Sequence, residues 1–168
     1  SSTLMMLLSQ GDHMVASPDV YGGTYGLITE ELPRFGIEVT MADMTEPSSY
    51  EAAIQPNTKI LYIETITNPN LKVCDIPAMV EIGKRHNLLV IIDNTFASPW
   101  ACKPLSMGVD LVIHSTTKFL GGHSDLIGGA VVGSKELISK IFKGRVHFGG
   151  SPDPHNCYLL ERGMRTLH

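Results

Sequence analysis

Five aliphatic residues followed by an aspartate, Leu88-Leu89-Val90-Ile91-Ile92-Asp93, are the most informative segment of this sequence for the fold. A short apolar run has the length of a strand, and this one carries apolar side chains on both faces until its last residue. Strands of this kind occur mainly in parallel sheets, where helices cover each side. The segment therefore predicts an α/β protein, with Asp93 at the carboxyl end of a buried strand.

Predicted strands and helices alternate on both sides of this segment. We expect strands at 13–17, 37–41, 59–64, 88–93, 109–113 and 128–132, and helices at 1–9, 22–34, 47–55, 76–86, 134–143 and 154–168. Such alternation is typical of a mostly parallel sheet with helices on both faces. Since no linker or long repeat interrupts it, we expect one domain.

The composition excludes several classes of function. The chain has 168 residues, of which 43% are hydrophobic, as in ordinary globular proteins and unlike disordered ones. A net charge of −4 without a basic patch predicts no nucleic-acid partner and no membrane partner. The run 88–92 is far shorter than the roughly 20 residues that span a bilayer. Three cysteines without a CxxC pair predict reduced thiols in a cytoplasmic protein.

Polar residues follow three successive predicted strands at the point where each strand ends. In chain order these residues are Glu64, Asn68, Asp93, Ser115, Thr117 and Lys118. Ligands of open α/β sheets bind beyond the carboxyl ends of the strands. We therefore expect these side chains to converge on one site.

Lys118 has the most specific chemistry among them. It follows a predicted buried strand and precedes Gly121-Gly122. A lysine at such a buried edge should be desolvated, which lowers the pKa of its amine and favours the neutral nucleophile. A neutral amine is what a Schiff base with an aldehyde requires. Pyridoxal 5′-phosphate (PLP) is such an aldehyde. It acts as an electron sink while its pyridine nitrogen stays protonated, and a nearby carboxylate such as that of Asp93 would keep this nitrogen protonated.

Four further residues could complete a PLP site. Tyr21 could supply an aromatic face over the ring, and Asn68 could donate to the ring's phenolic oxygen. The hydroxyls of Ser115 and Thr117 could donate to a phosphate. Each residue also has an ordinary interpretation, because lysines after strands are usually solvated and aspartates there often form turns. Their joint placement at strand ends favours the cofactor site.

A metal site built from His114, His123 and Asp125 is the alternative constellation. The two histidines are nine positions apart, and no i, i+4 spacing places them on one helix face, whereas zinc ligands are usually closer. We therefore expect no metal, with His114 packed at a strand end and the other two fixing the glycine loop. No GxGxxG motif follows a strand, which argues against a dinucleotide site.

Five ordered motifs carry a family resemblance. They are VYGGTY at 20–25, ETITNP at 64–69, VIIDNTF at 90–96, HSTTKFLGGHSD at 114–125 and LERGMRTL at 160–167. Along essentially its whole length the chain resembles the Cys/Met-metabolism family of PLP enzymes, which includes cystathionine γ-lyases and γ-synthases, methionine γ-lyases and O-acetylhomoserine sulfhydrylases. The resemblance implies pyridoxal 5′-phosphate as cofactor, with Lys118 and Tyr21 as catalytic residues. The cofactor-binding residues it implies are Lys118, Asp93, Tyr21, Ser115, Thr117 and Asn68.

The same resemblance implies an architecture. It predicts the PLP-dependent transferase fold type I (aspartate-aminotransferase-like), with residues 1–168 forming most of the PLP-binding large domain. We expect the N-terminal arm and the C-terminal small domain of that fold to be absent from this chain. The resemblance also implies a homotetramer, assembled as a dimer of dimers.

The implied activity is that of a PLP-dependent carbon–sulfur lyase or γ-replacement transferase of sulfur amino-acid metabolism. Its small amino-acid substrate would be cystathionine, methionine or an activated homoserine, with γ-elimination as the favoured reaction. The alternative is a truncated, non-catalytic homologue that acts as a structural or oligomerisation fragment. Because parts of the family's active site should lie outside these residues, the chain alone could be inactive.

Overall fold

Six strands form a single sheet in the computed structural model, which describes residues 1–167. The strands are β1 (His13–Ala16), β2 (Glu38–Met41), β3 (Thr58–Glu64), β4 (Leu89–Asp93), β5 (Leu111–Ser115) and β6 (Gly129–Gly133). Their order is β2-β1-β3-β4-β5-β6; neighbours among the first five are parallel, and β6 runs antiparallel to β5. The predicted α/β class with a mostly parallel sheet is confirmed.

Helices precede β1, connect the strands from β1 to β5, and follow β6. They are α1 (Ser2–Leu7), α2 (Gly22–Gly26), α3 (Pro47–Ala52), α4 (Ile76–His86), α5 (Ser98–Ala101), α6 (Lys135–Phe148) and α7 (Pro154–Met164). After α2 the chain continues as a π-helical turn (Leu27–Glu31) and a 3-10 turn (Leu32–Phe35), and it leaves the helix at Gly36, whose φ is 71°. A further 3-10 turn spans Pro104–Met107.

Several predicted helix ends were wrong. α1 ends at Leu7 rather than at residue 9, and α3 ends at Ala52 rather than at residue 55. α6 runs to Phe148 rather than to residue 143, because Gly144 lies inside the helix and the chain turns only at Gly149-Gly150, where φ is 75° and 81°. α7 ends at Met164 rather than at 168; the last position of that prediction lies outside the described residues. The short helix α5 was not predicted, since its four residues are too few to show a helical period.

Local capping explains where the longer helices begin. The Asp75 carboxylate accepts a hydrogen bond from the backbone N–H of Ala78 at the start of α4, and the Asp153 carboxylate accepts one from Asn156 at the start of α7. Asn87 ends α4 in the left-handed conformation, with φ of 55°. Caps of this type satisfy backbone groups that the helix itself leaves unpaired.

The sheet separates two hydrophobic cores. Alternate residues of β3 face opposite sides, so that Leu61 and Ile63 pack in the core with α4, while Ile60 and Tyr62 pack in the core with α1 and α6. β4 divides in the same way. Each fully buried aliphatic side chain contributes about 1.5–3 kcal/mol relative to exposure. Because both faces are covered, only the strand ends remain available for polar side chains.

Candidate active site

A cavity of about 280 Å³ opens at the carboxyl ends of β3, β4 and β5. The strand register explains the convergence, because Glu64 pairs with Asp93 and Asp93 pairs with Ile113, so the three ends lie level. The predicted site residues lining the cavity are Tyr21, Asn68, Asp93, Ser115, Thr117 and Lys118. The structure therefore brings all six together. Sequence reasoning missed the apolar lining, which comes from Ile66, Phe96 and Ile127.

Asp93 ends β4 with its carboxylate held in place. Its Oδ1 accepts hydrogen bonds from the backbone N–H of Thr95 at 2.9 Å and from the Thr95 hydroxyl at 2.5 Å. Burial raises the pKa of this carboxyl, while the two bonds from Thr95 oppose the rise. Both bonds go to Oδ1, so a cationic or protonated nitrogen in the cavity could pair with Oδ2.

Thr95 is a site residue to which sequence reasoning gave no role. Its hydroxyl donates to Asp93 and also accepts a hydrogen bond from the backbone N–H of Ser115 at 2.8 Å. One side chain thus couples the end of β4 to the end of β5. The Asp-x-Thr spacing suits a local side-chain-to-backbone turn, which is the signal that could have identified it.

Lys118 differs from its prediction. Its side chain is exposed rather than desolvated, because it lies three residues beyond β5, in a turn outside the covered part of the sheet. The turn itself is fixed by backbone hydrogen bonds from Lys118 to the Ser115 carbonyl (3.2 Å) and from Gly122 to the Lys118 carbonyl (2.8 Å). The turn therefore fixes the backbone at Lys118, from which the exposed side chain extends.

Thr117 already has a partner inside the protein. Its hydroxyl accepts a hydrogen bond from the backbone N–H of Gly128 at 3.0 Å and donates a longer one, 3.3 Å, to the Gly128 carbonyl. These bonds tie the Lys118 turn to the segment before β6. A phosphate at this site would compete for the hydroxyl hydrogen of Thr117.

Tyr21 lies immediately before α2 with its ring 54% exposed. A Cβ at Gly23 would come within 2.6 Å of Cε1 of this ring, so the glycine allows the ring to lie over the start of the helix. The backbone N–H of Tyr21 donates to Glu64 Oε1 at 2.9 Å. Glu64 is only 4% exposed, and burial raises the pKa of its carboxyl to about 7.

The residues of the metal alternative are engaged elsewhere. The Nδ1 atom of His123 lies 2.8 Å from the Gly121 carbonyl, and Asp125 forms an ion pair with Arg162. His114 is buried at the end of β5. Within residues 1–167, no three His, Cys, Asp or Glu side chains form a group that could hold a metal ion. Over the same residues, no helix is both long enough and apolar enough to cross a membrane.

Fold and site together define a class of protein: a mostly parallel α/β sheet whose carboxyl edge presents a lysine, a buried carboxylate, an aromatic ring and hydroxyls to one cavity. The family model for Cys/Met metabolism PLP-dependent enzymes matches residues 1–168. The chain belongs to this family.

Several similar proteins from bacteria share nearly half of this sequence. The chain is 47% identical to cystathionine beta-lyase MetC of Bacillus subtilis (strain 168) over 167 residues, covering 99% of this chain and 43% of that protein. It is 48% identical to the cystathionine gamma-lyase of the same organism, again over 99% of this chain and 44% of the relative. The crystal structure of cystathionine gamma-lyase from Lactobacillus plantarum complexed with L-serine is similar with a TM-score of 0.95 at 48% identity, covering 98% of this chain and 44% of that one. The chain thus spans less than half the length of these relatives.

Pyridoxal 5′-phosphate is the cofactor of the family. The groups on this cavity suit it chemically, because an amine, carboxyl groups, aromatic rings, an amide and hydroxyls all line the same space. A PLP site needs this set, since the aldehyde, the pyridine nitrogen and the phosphate each require a different partner.

Proposed function

We propose that the protein is a PLP-dependent enzyme of sulfur amino-acid metabolism that cleaves or exchanges the γ-substituent of cystathionine, methionine or an activated homoserine. The observation that carries the proposal is the placement of Lys118 and Asp93 on one cavity in a chain of this family. Relatives named as β-lyase, γ-lyase and γ-synthase are 47%, 48% and 44% identical to the chain. We favour γ-elimination, and assays with each substrate class discriminate among the reactions.

In this proposal PLP supplies the electron sink that stabilises negative charge on a substrate carbon. Lys118 would hold the cofactor through its amine and would move protons at the substrate. Its exposed side chain suits both tasks, because the turn fixes the backbone at Lys118 while Nζ can move. Asp93 would keep the pyridine nitrogen protonated, and Thr95 orients that carboxylate through Oδ1.

The remaining site residues bind and orient. The Tyr21 ring would stack on the cofactor ring and would assist proton transfer or departure of the leaving group. Asn68 would donate to the ring oxygen. Ser115 and Thr117 would bind the phosphate, for which the hydroxyl hydrogen of Thr117 is now donated to the Gly128 carbonyl in a longer bond of 3.3 Å.

We also propose an assembly and a location. Residues 1–168 form most of the PLP-binding large domain. In support of this, 98% of this chain matches 44% of the longer Lactobacillus plantarum chain. The protein assembles as a homotetramer, a dimer of dimers, in the cytoplasm. Light scattering coupled to gel filtration measures the assembly, and a monomer would contradict it.

The decisive experiment traps the cofactor on the protein expressed from its complete gene. PLP is added, the visible absorbance is recorded, the sample is reduced with borohydride and the modified peptide is mapped. We expect the label on Lys118, its loss in Lys118→Ala and its retention in the control Lys143→Ala, since Lys143 is an exposed lysine on α6. Label on another lysine, or none, would overturn the assignment. Trapping without turnover of any sulfur amino acid would favour the alternative, a non-catalytic homologue.

A further inference from the structure

The Glu64 carboxyl is the buried acid of the cavity for which the proposed mechanism has no task. It ends β3 level with Asp93 and lines the same cavity. Only 4% of the residue is exposed. A carboxyl removed from water to this degree is costly unless hydrogen bonds compensate it. The groups that form hydrogen bonds with Glu64 therefore indicate its role.

Both partners of Glu64 are backbone groups of the loops that carry site residues. The N–H of Tyr21 donates to Oε1 at 2.9 Å, across 43 positions in sequence. The backbone of Asn68 also lies close enough to this carboxyl to lower its pKa, against the larger effect of burial. Tyr21 and Asn68 belong to different loops, one after β1 and one after β3. A single carboxyl thus joins both loops to the end of β3.

A second acid joins the same two loops at the surface. The carboxylate of Asp19 accepts hydrogen bonds from the side chains of Asn70 (2.5 Å) and Lys72 (2.7 Å). This outer pair is partly solvated, since 36% of the Lys72 side chain is exposed, and partly exposed ion pairs contribute little. The inner tie through Glu64 lies in a buried place, where hydrogen bonds to a carboxyl are stronger.

We infer that Glu64 is a positioning residue, which holds the Tyr21 loop and the Asn68 turn against β3 so that the Tyr21 ring and the Asn68 amide face the cavity. The inference rests on the proposed function only for what those two side chains do there. A carboxyl suits the task because its Oε1 accepts the Tyr21 N–H, and the Asn68 backbone lies beside the same group. Glutamine offers a single acceptor oxygen, so it keeps the bond to the Tyr21 N–H only when that oxygen takes the place of Oε1.

The test compares Glu64→Gln and Glu64→Ala with a matched control in the protein expressed from its complete gene. Asp110→Ala is the control, because Asp110 Oδ2 also accepts a backbone N–H, that of Val90 at 2.8 Å, at the opposite end of the sheet. Hydrogen-exchange mass spectrometry without PLP follows the peptide that contains Tyr21. We expect exchange there to be about tenfold faster or more in Glu64→Ala, since the Tyr21 N–H loses its acceptor. Glu64→Gln should be intermediate, and Asp110→Ala should match the wild type in this peptide.

A second readout tests positioning rather than stability. With PLP bound, altered stacking by Tyr21 should shift the visible absorption maximum in both Glu64 variants and weaken PLP affinity about tenfold, and Asp110→Ala should change neither. Unchanged exchange at Tyr21 in both Glu64 variants would overturn the inference, as would an unchanged spectrum and affinity. Should Glu64→Ala fail to fold, the nearly isosteric Glu64→Gln carries the test. Failure of the proposed function shows separately, as absence of PLP on Lys118 in the wild type.

Discussion

Replacing Gly163 with alanine should destabilise the protein and disturb the Lys118 turn. Gly163 lies on α7, where the helix touches the backbone of the turn at Leu120 and Gly121. A Cβ at Gly163 would come within 2.7 Å of the Leu120 carbonyl oxygen, and closer still to that of Gly121. Real Cβ atoms essentially never approach other atoms within 3.0 Å. Because the obstacle is backbone, no side-chain rotation relieves the clash.

The expected magnitude follows from two opposing effects. Overpacking against an immobile neighbour costs about 1–3 kcal/mol and sometimes more. Alanine recovers about 0.8–1 kcal/mol of helix propensity relative to glycine. We place the overpacking at the upper end of its range, so the net loss of stability should be about 2 kcal/mol. The same substitution at Gly26 has no atom within 4 Å of the new Cβ and an ordinary helical backbone, so Gly26→Ala should stabilise by about 0.5–1 kcal/mol.

Urea denaturation of the two variants and the wild type measures this difference. The midpoint should move down for Gly163→Ala and up for Gly26→Ala, with similar slopes. Hydrogen exchange should also accelerate in the peptide containing Lys118 in Gly163→Ala alone. Free energies of unfolding for the two variants that agree within about 0.5 kcal/mol would refute the reasoning, because that is the size of an ordinary surface substitution.

Three further substitutions probe the site and the framework. Glu64 has a folded-state pKa of about 7 against an ordinary 4.5, so its contribution to stability is fully present below pH 4.5 and is lost as the pH rises through 7. The free energy of unfolding of the wild type relative to Glu64→Gln should therefore fall by ~3 kcal/mol over that window. Urea titrations at several pH values that show a constant difference between the two proteins would contradict this. Asp75→Ala removes the bond to the Ala78 N–H that caps α4 and should cost about 1 kcal/mol in urea midpoint measurements, whereas Asp75→Asn should cost much less. Met79→Ala empties a fully buried position on α4 and should cost about 2–5 kcal/mol by thermal or urea unfolding, and a loss below 1 kcal/mol would mean that this core is not packed as described.

Much of the fold was predictable because its signals are local. The run 88–92 predicted a strand covered on both faces, and the structure divides β4 between two cores. Asp75 predicted the start of α4 through its cap, which depends on residues only three positions apart. The end of α6 was wrong because the helix continues through Gly144, which lies against the Met6 side chain of α1, and the chain turns only at Gly149.

The convergence of the candidate site could also be inferred, since parallel strands bring their carboxyl ends to one edge. What could not be inferred was the environment of each group. Lys118 was expected to be desolvated and is exposed, because its burial depends on how far the turn reaches beyond β5. Thr95 received no role because its second partner, Ser115, is on another strand.

The sequence by itself determined the elements, their alternation and the kinds of side chain that end the strands, because periodicity, caps and turn residues act within a few positions of the chain. Only the tertiary structure decided that β1 lies between β2 and β3, that Glu64 holds Tyr21 and that Gly163 presses on the Lys118 turn. These contacts join residues that are about 25 to 46 positions apart in the chain. Burial, and with it the pKa of a carboxyl such as Glu64, is a property of the packed neighbours, and no local pattern specifies which neighbours those will be.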